Sequence, residues 1–229
     1  MNKLSVTLTR KEKILGWIYY PLQLLFLPLL IHFVCLFVGI TLDLVLENFL
    51  YFCANFVFCG LIFFRYLKEN GKIAIFHPLR CLSSAGIGLA IYWGLSYAVQ
   101  FLIIMVDPAF FNVNDASLSV MIQDNFLLMA IGTVLFVPIA EEVLYRGLFF
   151  CQFYNRSPFA AYLISTCVFS AIHVVGYIGS YRPLQLALCF LQYLPAGIAL
   201  GFAYKRANSI WASILMHVTI NLIGVFSMR

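Results

Sequence analysis

Long apolar stretches alternate with short polar connections along this chain. Seven such stretches cover approximately residues 14–40, 44–66, 82–106, 120–153, 159–179, 184–204 and 210–226. Each is long enough to span a bilayer, because a transmembrane helix needs about 20 apolar residues to cross roughly 30 Å of hydrocarbon. The segment 107–124 has room for a surface loop or one further interfacial turn. The pattern predicts an all-α, polytopic transmembrane helical bundle of about seven to eight spans.

Composition supports this class. Of the 229 residues, 63% are apolar and 10% are charged, a balance that excludes disorder and a soluble globular surface. The seven cysteines lie mostly within apolar runs and form no C-x-x-C pair, which indicates free buried thiols. Pro21 and Pro28 are expected to kink the first span. That span is too long for a signal-peptide core of roughly 7 to 15 residues and is expected to be retained.

The placement of the basic residues predicts the orientation in the membrane. Twelve of the 14 Lys and Arg residues fall on alternate connections: Lys3, Arg10, Lys11, Lys13, Arg65, Lys68, Lys72, Arg80, Arg146, Arg156, Lys205 and Arg206. Lys and Arg in short loops resist translocation, so we expect a cytoplasmic N-terminus and an outer C-terminus. The protein is expected to be multi-pass and to lie in the cell membrane. The net charge of +5 is thus explained by topology, and nucleic acid is not an expected partner.

Two features bear on packing and on the class of membrane protein. Gly197 and Gly201 form a G-x-x-x-G motif, which lets two helix backbones approach closely. We expect this contact within one chain rather than between two copies, and the sequence leaves the oligomeric state open. The two halves contain no inverted pair of broken helices, which weakens a transporter interpretation.

Polar residues that could carry chemistry cluster in three C-terminal spans. An ionisable group costs roughly 2.5 to 3.5 kcal/mol at the bilayer centre on insertion scales, so such residues are candidates for function. They are Glu141, Glu142 and Arg146 in the fourth span, Phe169 and His173 in the fifth, and His217 and Asn221 in the last.

Helical spacing assigns these residues to faces. Glu142 and Arg146 are four positions apart, so they can form an ion pair that offsets the desolvation of both. Glu141 points about 100° away and is expected to face a different neighbour. His217 and Asn221 are also four apart and can address one substrate atom from one helix face.

Depth indicates a shared site. At about 1.5 Å per residue, Glu141 and His173 both lie about 24 Å from the turn near Ser157. Asn221 lies about 20 Å from Asn208, which is predicted to be on the same side of the membrane. These heights predict one intramembrane site built from three helices.

The residue types suit water-mediated acyl cleavage. Glu141 is the candidate general base, and His173 can orient the attacking water. His217 and Asn221 can donate hydrogen bonds to a developing oxyanion, each worth about 3 kcal/mol. Glu142 and Arg146 would support the site, with a purely structural role as the alternative. No cofactor is required, and the expected substrate is a peptide or membrane protein within the lipid bilayer.

Other functions remain open from the residues. Glu141, His173 and His217 could instead bind zinc with an open water position, although no H-E-x-x-H helix is present. The chain could be a non-catalytic bacteriocin-immunity or scaffold protein with the same fold. It could also be an ion-coupled carrier that uses the buried carboxylates.

The ordered motifs E-E-x-x-x-R, F-x-x-x-H and H-x-x-x-N resemble those of the CPBP intramembrane proteases. This family includes CAAX prenyl endopeptidases and bacteriocin-processing or self-immunity proteins. The resemblance covers roughly residues 120–226 and implies an intramembrane endopeptidase, in which Glu141 is the catalytic carboxylate and His173 its partner at the water. It implies that His217 and Asn221 bind the oxyanion and that Glu142, Arg146 and Phe169 support them. We therefore expect an accessory N-terminal region at 1–119 and a CPBP-like catalytic helical core at 120–229.

Overall fold

The structure, a computed structural model, describes residues 3–229 and consists of helices joined by short connections. Ten helices follow one another along the chain. They are α1 (Arg10–Leu25), α2 (Leu27–Val38), α3 (Leu44–Ile62), α4 (Phe64–Phe76), α5 (Pro78–Val106), α6 (Val113–Asp124), α7 (Phe126–Tyr154), α8 (Pro158–Val175), α9 (Pro183–Ala207) and α10 (Ile210–Ser227). No β-strand occurs between residues 3 and 229, which confirms the predicted all-α class.

Six helices are long and apolar enough to cross a membrane, namely α3, α5, α7, α8, α9 and α10. Helices α1 and α2 together form a seventh candidate span, bent by 58°. The count lies at the lower end of the predicted range. The additional element allowed between the third and fourth stretches is α6, whose 12 residues are too few to span the bilayer.

The bend in the first span lies at one of the two predicted prolines. Helix α1 ends at Leu25 and α2 begins at Leu27. Pro28 is in the first turn of α2, where it lacks the N–H that would bond the carbonyl four residues earlier. Pro21, in contrast, lies inside α1. The first span therefore breaks at Pro28.

Helix α7 contains two π-helical turns, Gly132–Phe136 and Val143–Phe150. A π-helical turn widens the helix by bonding residues five apart and often occurs at functional sites. The second turn begins directly after Glu142, contains Arg146 and is buried along its whole length. Helix α7 is thus widened at the residues that carry its polar motif, next to Glu142 and at Arg146.

The G-x-x-x-G motif packs within the chain, as predicted. A Cβ atom added at Gly197 would lie 2.7 Å from Cγ2 and 3.0 Å from Cα of Thr166 on α8. One added at Gly201 would lie 3.1 Å from the rings of Phe150 and Tyr162. The two glycines therefore let α9 approach α7 and α8 closely enough to enclose the polar residues between them.

Connections predicted to share one side of the membrane meet at one end of the bundle. The Ser5 backbone N–H donates to Asn208 Oδ1 at 3.0 Å. The Arg80 side chain donates through Nε to the Arg206 carbonyl, also at 3.0 Å. At the far end of α10, the Arg229 guanidinium lies 4.8 Å from the centroid of the Phe126 ring. The described N-terminal residues and the C-terminus consequently lie at opposite ends of the bundle.

One apolar core joins both predicted regions of the chain. Tyr19 and Phe63 from the N-terminal helices belong to the same buried cluster as Phe150, Leu200 and Ile214. All seven cysteines are free thiols, as predicted, and five of them are buried. The division at residue 119 stays a prediction, while the packing shows that the first helices form one wall of the core.

Candidate active site

Two capped helices bring the fifth-span and last-span motifs into place. Helix α8 begins after Ser157, whose hydroxyl accepts a hydrogen bond from the Ala160 backbone N–H at 3.2 Å. The start of α10 is tied to α4, because Ser209 Oγ donates to the Asn70 carbonyl at 2.8 Å and Ile210 N donates to Asn70 Oδ1 at 3.0 Å. These bonds fix the starting points of the helices that carry His173 and His217.

The Glu142–Arg146 ion pair predicted from their spacing lies at the centre of the site. Arg146 Nη1 donates to Glu142 Oε1 at 3.0 Å, and neither side chain is exposed to solvent. Arg146 also donates through Nη2 to the Gly197 carbonyl at 3.3 Å, and its guanidinium lies 4.7 Å from the Phe169 ring centroid. One buried cation on α7 thus contacts both α8 and α9.

His217 lies between the two adjacent glutamates. Its Nδ1 is 2.9 Å from Glu142 Oε1, and its Nε2 is 3.9 Å from Glu141 Oε2. The two carboxylates thus approach the same imidazole at different nitrogens, which the predicted 100° separation did not anticipate. Glu141 Oε2 is buried and has no hydrogen-bond partner within residues 3–229.

The Phe169 ring separates His173 from His217 and its carboxylate partners. Its Nδ1 is 2.8 Å from the carbonyl of Phe169, one turn earlier on α8. The Phe169 ring is 4.8 Å from the His173 ring and 5.9 Å from the His217 ring, measured between centroids. In the described part of the chain, His173 makes no hydrogen bond to Glu141 or His217, so the structure brings it near the cluster without joining it.

A residue that sequence analysis missed holds the other face of His173. Tyr193 on α9 stacks on the imidazole with centroids 4.1 Å apart and 24° between the planes. Its hydroxyl donates to Asp115 Oδ1 at 2.9 Å and accepts from Asn114 Nδ2 at 3.0 Å. Burial raises the pKa of Asp115, while this hydroxyl bond opposes the rise. No spacing motif links Tyr193 to His173 or to α6, so no signal in the sequence predicted these contacts.

Asn221 reaches α7 from the last helix. Its Nδ2 donates to the Thr133 carbonyl at 2.8 Å, inside the first π-helical turn. The second N–H of the amide remains for another acceptor. The role of Asn221 at an oxyanion stays a prediction.

A cavity of about 50 Å³ lies against Glu141. Its polar lining includes Gln23 from α1 and both Tyr51 and Asn55 from α3. Sequence analysis did not select these residues because they belong to no recognised motif. The available signal was the presence of amide side chains inside otherwise apolar spans.

The proposed zinc ligands do not converge. Within residues 3–229, no three His, Cys, Asp or Glu side chains lie close enough together to hold a metal ion. The Nδ1 atoms of His217 and His173 face Glu142 and the Phe169 carbonyl, respectively. The set Glu141, His173 and His217 therefore does not fit a zinc centre in this arrangement.

Comparison with known proteins identifies the segment that carries the site. Residues 123–223 match the family model of type II CAAX prenyl endopeptidases, Rce1-like. This segment, residues 123–223, is similar to the Rce1-like family and is called the Rce1-like segment. The match includes all seven candidate site residues and confirms the predicted CPBP relationship. The Rce1-like family is one of CAAX-type intramembrane proteases, so the general function class is supported as well.

Neither the curated proteins nor the solved structures gave a match to the chain. The similarity to the Rce1-like family therefore depends on the family model and on the ordered motifs within it.

Replacing Arg146 by Met should destabilise the fold strongly. The change leaves Glu142 buried without its cationic partner, and breaking a buried pair in this way costs about 3 to 5 kcal/mol. Thermal unfolding in detergent measures the effect. The double variant Arg146→Met/Glu142→Leu should recover much of the loss, since it removes both charges.

Lys72→Met provides the matched control. Lys72 forms an exposed pair with Glu69, and its loss should leave the unfolding temperature unchanged. Equal effects of Lys72→Met and Arg146→Met, or no recovery in the double variant, would contradict a central role for the buried pair.

Proposed function

We propose that this chain is a glutamate-dependent intramembrane endopeptidase. The observation that carries the proposal is the Glu141 carboxylate, whose Oε2 has no hydrogen-bond partner in residues 3–229 and lies 3.9 Å from His217 Nε2. Glu142, by contrast, already bonds Arg146 and His217. Of the two adjacent acids, Glu141 is thus the one free to accept a proton from water.

The reaction begins when Glu141 takes a proton from a water molecule. The resulting hydroxide attacks the carbonyl carbon of the scissile peptide bond and forms a C–O bond. The C–N bond then breaks, and the proton held by Glu141 passes to the leaving nitrogen. Each proton is accounted for, and no covalent enzyme intermediate is needed.

His217 is positioned to act on the developing oxyanion. Glu142 Oε1 accepts a hydrogen bond from Nδ1, which fixes the orientation of the ring and directs Nε2 toward Glu141. When Nε2 carries a proton, it can donate to an oxyanion formed beside Glu141, a contribution worth about 3 kcal/mol. Asn221 would donate to the same oxyanion through its second amide N–H, which does not bond the Thr133 carbonyl.

His173 would act on the water from the opposite side. The Phe169 carbonyl accepts from Nδ1–H, which leaves Nε2 as the nitrogen available to solvent or substrate. Tyr193 would keep the ring in this orientation by stacking on it. Phe169 would space the two imidazoles and cover the Arg146 guanidinium.

The proposed substrate is a membrane-associated peptide or protein that ends in a prenylated C-a-a-X sequence. The support is the match of residues 123–223 to the family of type II CAAX prenyl endopeptidases. The apolar helix faces around the site would accept a lipid-modified segment directly from the bilayer. A non-prenylated membrane-protein segment is the second substrate class to test.

Glu141→Gln should abolish cleavage without changing the fold. The amide cannot accept the proton, and loss of a general base lowers rates by about 10² to 10⁴-fold. The measurement is release of the C-terminal tripeptide from a farnesylated C-a-a-X peptide by protein reconstituted in nanodiscs. Thermal unfolding of the variant should match that of the wild type.

Glu69→Gln serves as the control, because Glu69 is a glutamate on α4 that pairs only at the surface. Full cleavage by Glu141→Gln would overturn the mechanism. A cellular phenotype that survives Glu141→Gln would favour the immunity or scaffold protein. Proton-dependent uptake into liposomes that the variant loses would favour a carrier.

We further propose that catalysis needs no metal. The supporting observation is that the nearest imidazole to Glu141 already bonds a second carboxylate through Nδ1. Purified protein should contain well under one zinc per chain by elemental analysis, and 1,10-phenanthroline should leave cleavage unchanged. Stoichiometric zinc together with inhibition by the chelator would establish the alternative.

The proposed topology has a cytoplasmic N-terminus and an outer C-terminus in the cell membrane. Its support is the bias of Lys and Arg toward the end of the bundle where Ser5 meets Asn208. In intact cells, an impermeant maleimide should label a cysteine introduced at Arg229 and not one introduced at Lys205. The reverse labelling would invert the topology.

A further inference from the structure

Two amide side chains are buried inside the first spans of the bundle. Gln23 on α1 is 2% exposed, and Asn55 on α3 is 8% exposed. A polar group at this depth needs hydrogen-bond partners, because the hydrocarbon offers none. Their presence in apolar helices outside the Rce1-like segment therefore calls for an explanation.

Hydrogen bonds between α1 and α3 satisfy the carbonyl oxygen of each amide. Tyr19 on α1 donates through its hydroxyl to Asn55 Oδ1 at 2.8 Å. The Tyr51 hydroxyl on α3 donates to Gln23 Oε1. These reciprocal contacts join α1 to α3 and use the carbonyl oxygens. The hydrogen bonds of the described chain leave the N–H groups of both amides without an acceptor.

The free amide groups share a cavity with the proposed base. Gln23 and Asn55 line the space of about 50 Å³ that Glu141 lines from α7. Glu141 Oε2 is buried beside His217, while its Oε1 takes part in no hydrogen bond among the residues described. Donors on one wall therefore face an acceptor on the other, with a gap between them.

The dimensions of this gap match water. A water molecule needs about 10 to 15 Å³ of such a cavity and makes two to four hydrogen bonds when buried. The cavity therefore has room for a few waters and offers amide donors together with a carboxylate acceptor.

We propose that Gln23 and Asn55 form a water-binding site that holds the nucleophile of the reaction against Glu141. The two amides donate to the water oxygen, and one water proton points to the carboxylate that removes it. The Tyr51 and Tyr19 hydroxyls bond the carbonyl oxygens and join α1 to α3, whereas the N–H groups that bind the water belong to the amides alone. The inference rests on the proposed function and adds a role for helices outside the Rce1-like segment.

Isosteric replacement of the amides tests the site. Asn55→Leu and Gln23→Met remove the donors with little change in volume. Each should lower kcat for the farnesylated peptide about tenfold while KM stays within twofold, because the water and not the substrate is affected. The double variant should lose little more than either single variant, since both amides hold the same water.

Tyr19→Phe is the matched control. It breaks the hydrogen bond to Asn55 Oδ1 and therefore weakens the contact between α1 and α3, but Tyr19 does not line the cavity. Its unfolding temperature should fall as much as that of Asn55→Leu while its kcat stays near the wild-type value. Equal losses of kcat in these two variants would show that the amides only join helices. A rise in KM with unchanged kcat would assign them to substrate binding instead. Either result would overturn the proposal.

A second measurement does not depend on proteolysis. The infrared band of the Glu141 carboxyl group can be identified by its loss in Glu141→Gln. It should shift in Asn55→Leu and Gln23→Met, where the bound water is lost, and should keep its position in Tyr19→Phe. An unshifted band in the amide variants would overturn the water site even in a protein with normal cleavage. Absence of Glu141-dependent cleavage with a shifted band would instead refute the proposed function alone.

Discussion

The buried ion pair between Glu142 and Arg146 is the interaction on which the rest of the site depends. A charge without a partner in the bilayer core would cost several kcal/mol, so each member of the pair requires the other. The remaining hydrogen-bonding groups of the pair then select their neighbours. Arg146 contacts the Gly197 carbonyl and the Phe169 ring, and Glu142 contacts His217. One pair on α7 thereby fixes the relative positions of α8, α9 and α10.

This constraint separates the functions of two consecutive acids. Glu142 bonds Arg146 and His217 through Oε1 and cannot release these partners without leaving charges unpaired. Glu141 lies beside the same histidine but contacts it only at 3.9 Å, and it faces a cavity. The difference arises from position on the helix. Consecutive residues point about 100° apart, so Glu142 faces the packed interior while Glu141 faces the cavity. The bonds of Glu142 thus hold His217 in place beside Glu141, which itself keeps a carboxylate free for reaction.

Much of this arrangement could be predicted from the sequence. The i, i+4 spacing of Glu142 and Arg146 predicted their ion pair, and the G-x-x-x-G motif predicted close packing of α9. Both depend on contacts that repeat regularly along a helix. The shared histidine was not predicted, since the approach of Glu141 and Glu142 to one ring depends on how α10 lies against α7. Tyr193 was missed for the same reason, as its partner His173 lies on another helix.

The contribution of the first helices follows from the difficulty of hydrolysis within a membrane. Water must be held where the surrounding lipid provides no hydrogen bonds, and the polar groups that hold it must themselves be stable there. Amides meet both conditions when a tyrosine on the neighbouring helix occupies the carbonyl and leaves the N–H groups free. Gln23 and Asn55 each have such a tyrosine, and the two bonds run in opposite directions between α1 and α3. The contacts that join these helices therefore also leave donors facing Glu141, which links the stability of the N-terminal wall to the chemistry of the Rce1-like segment.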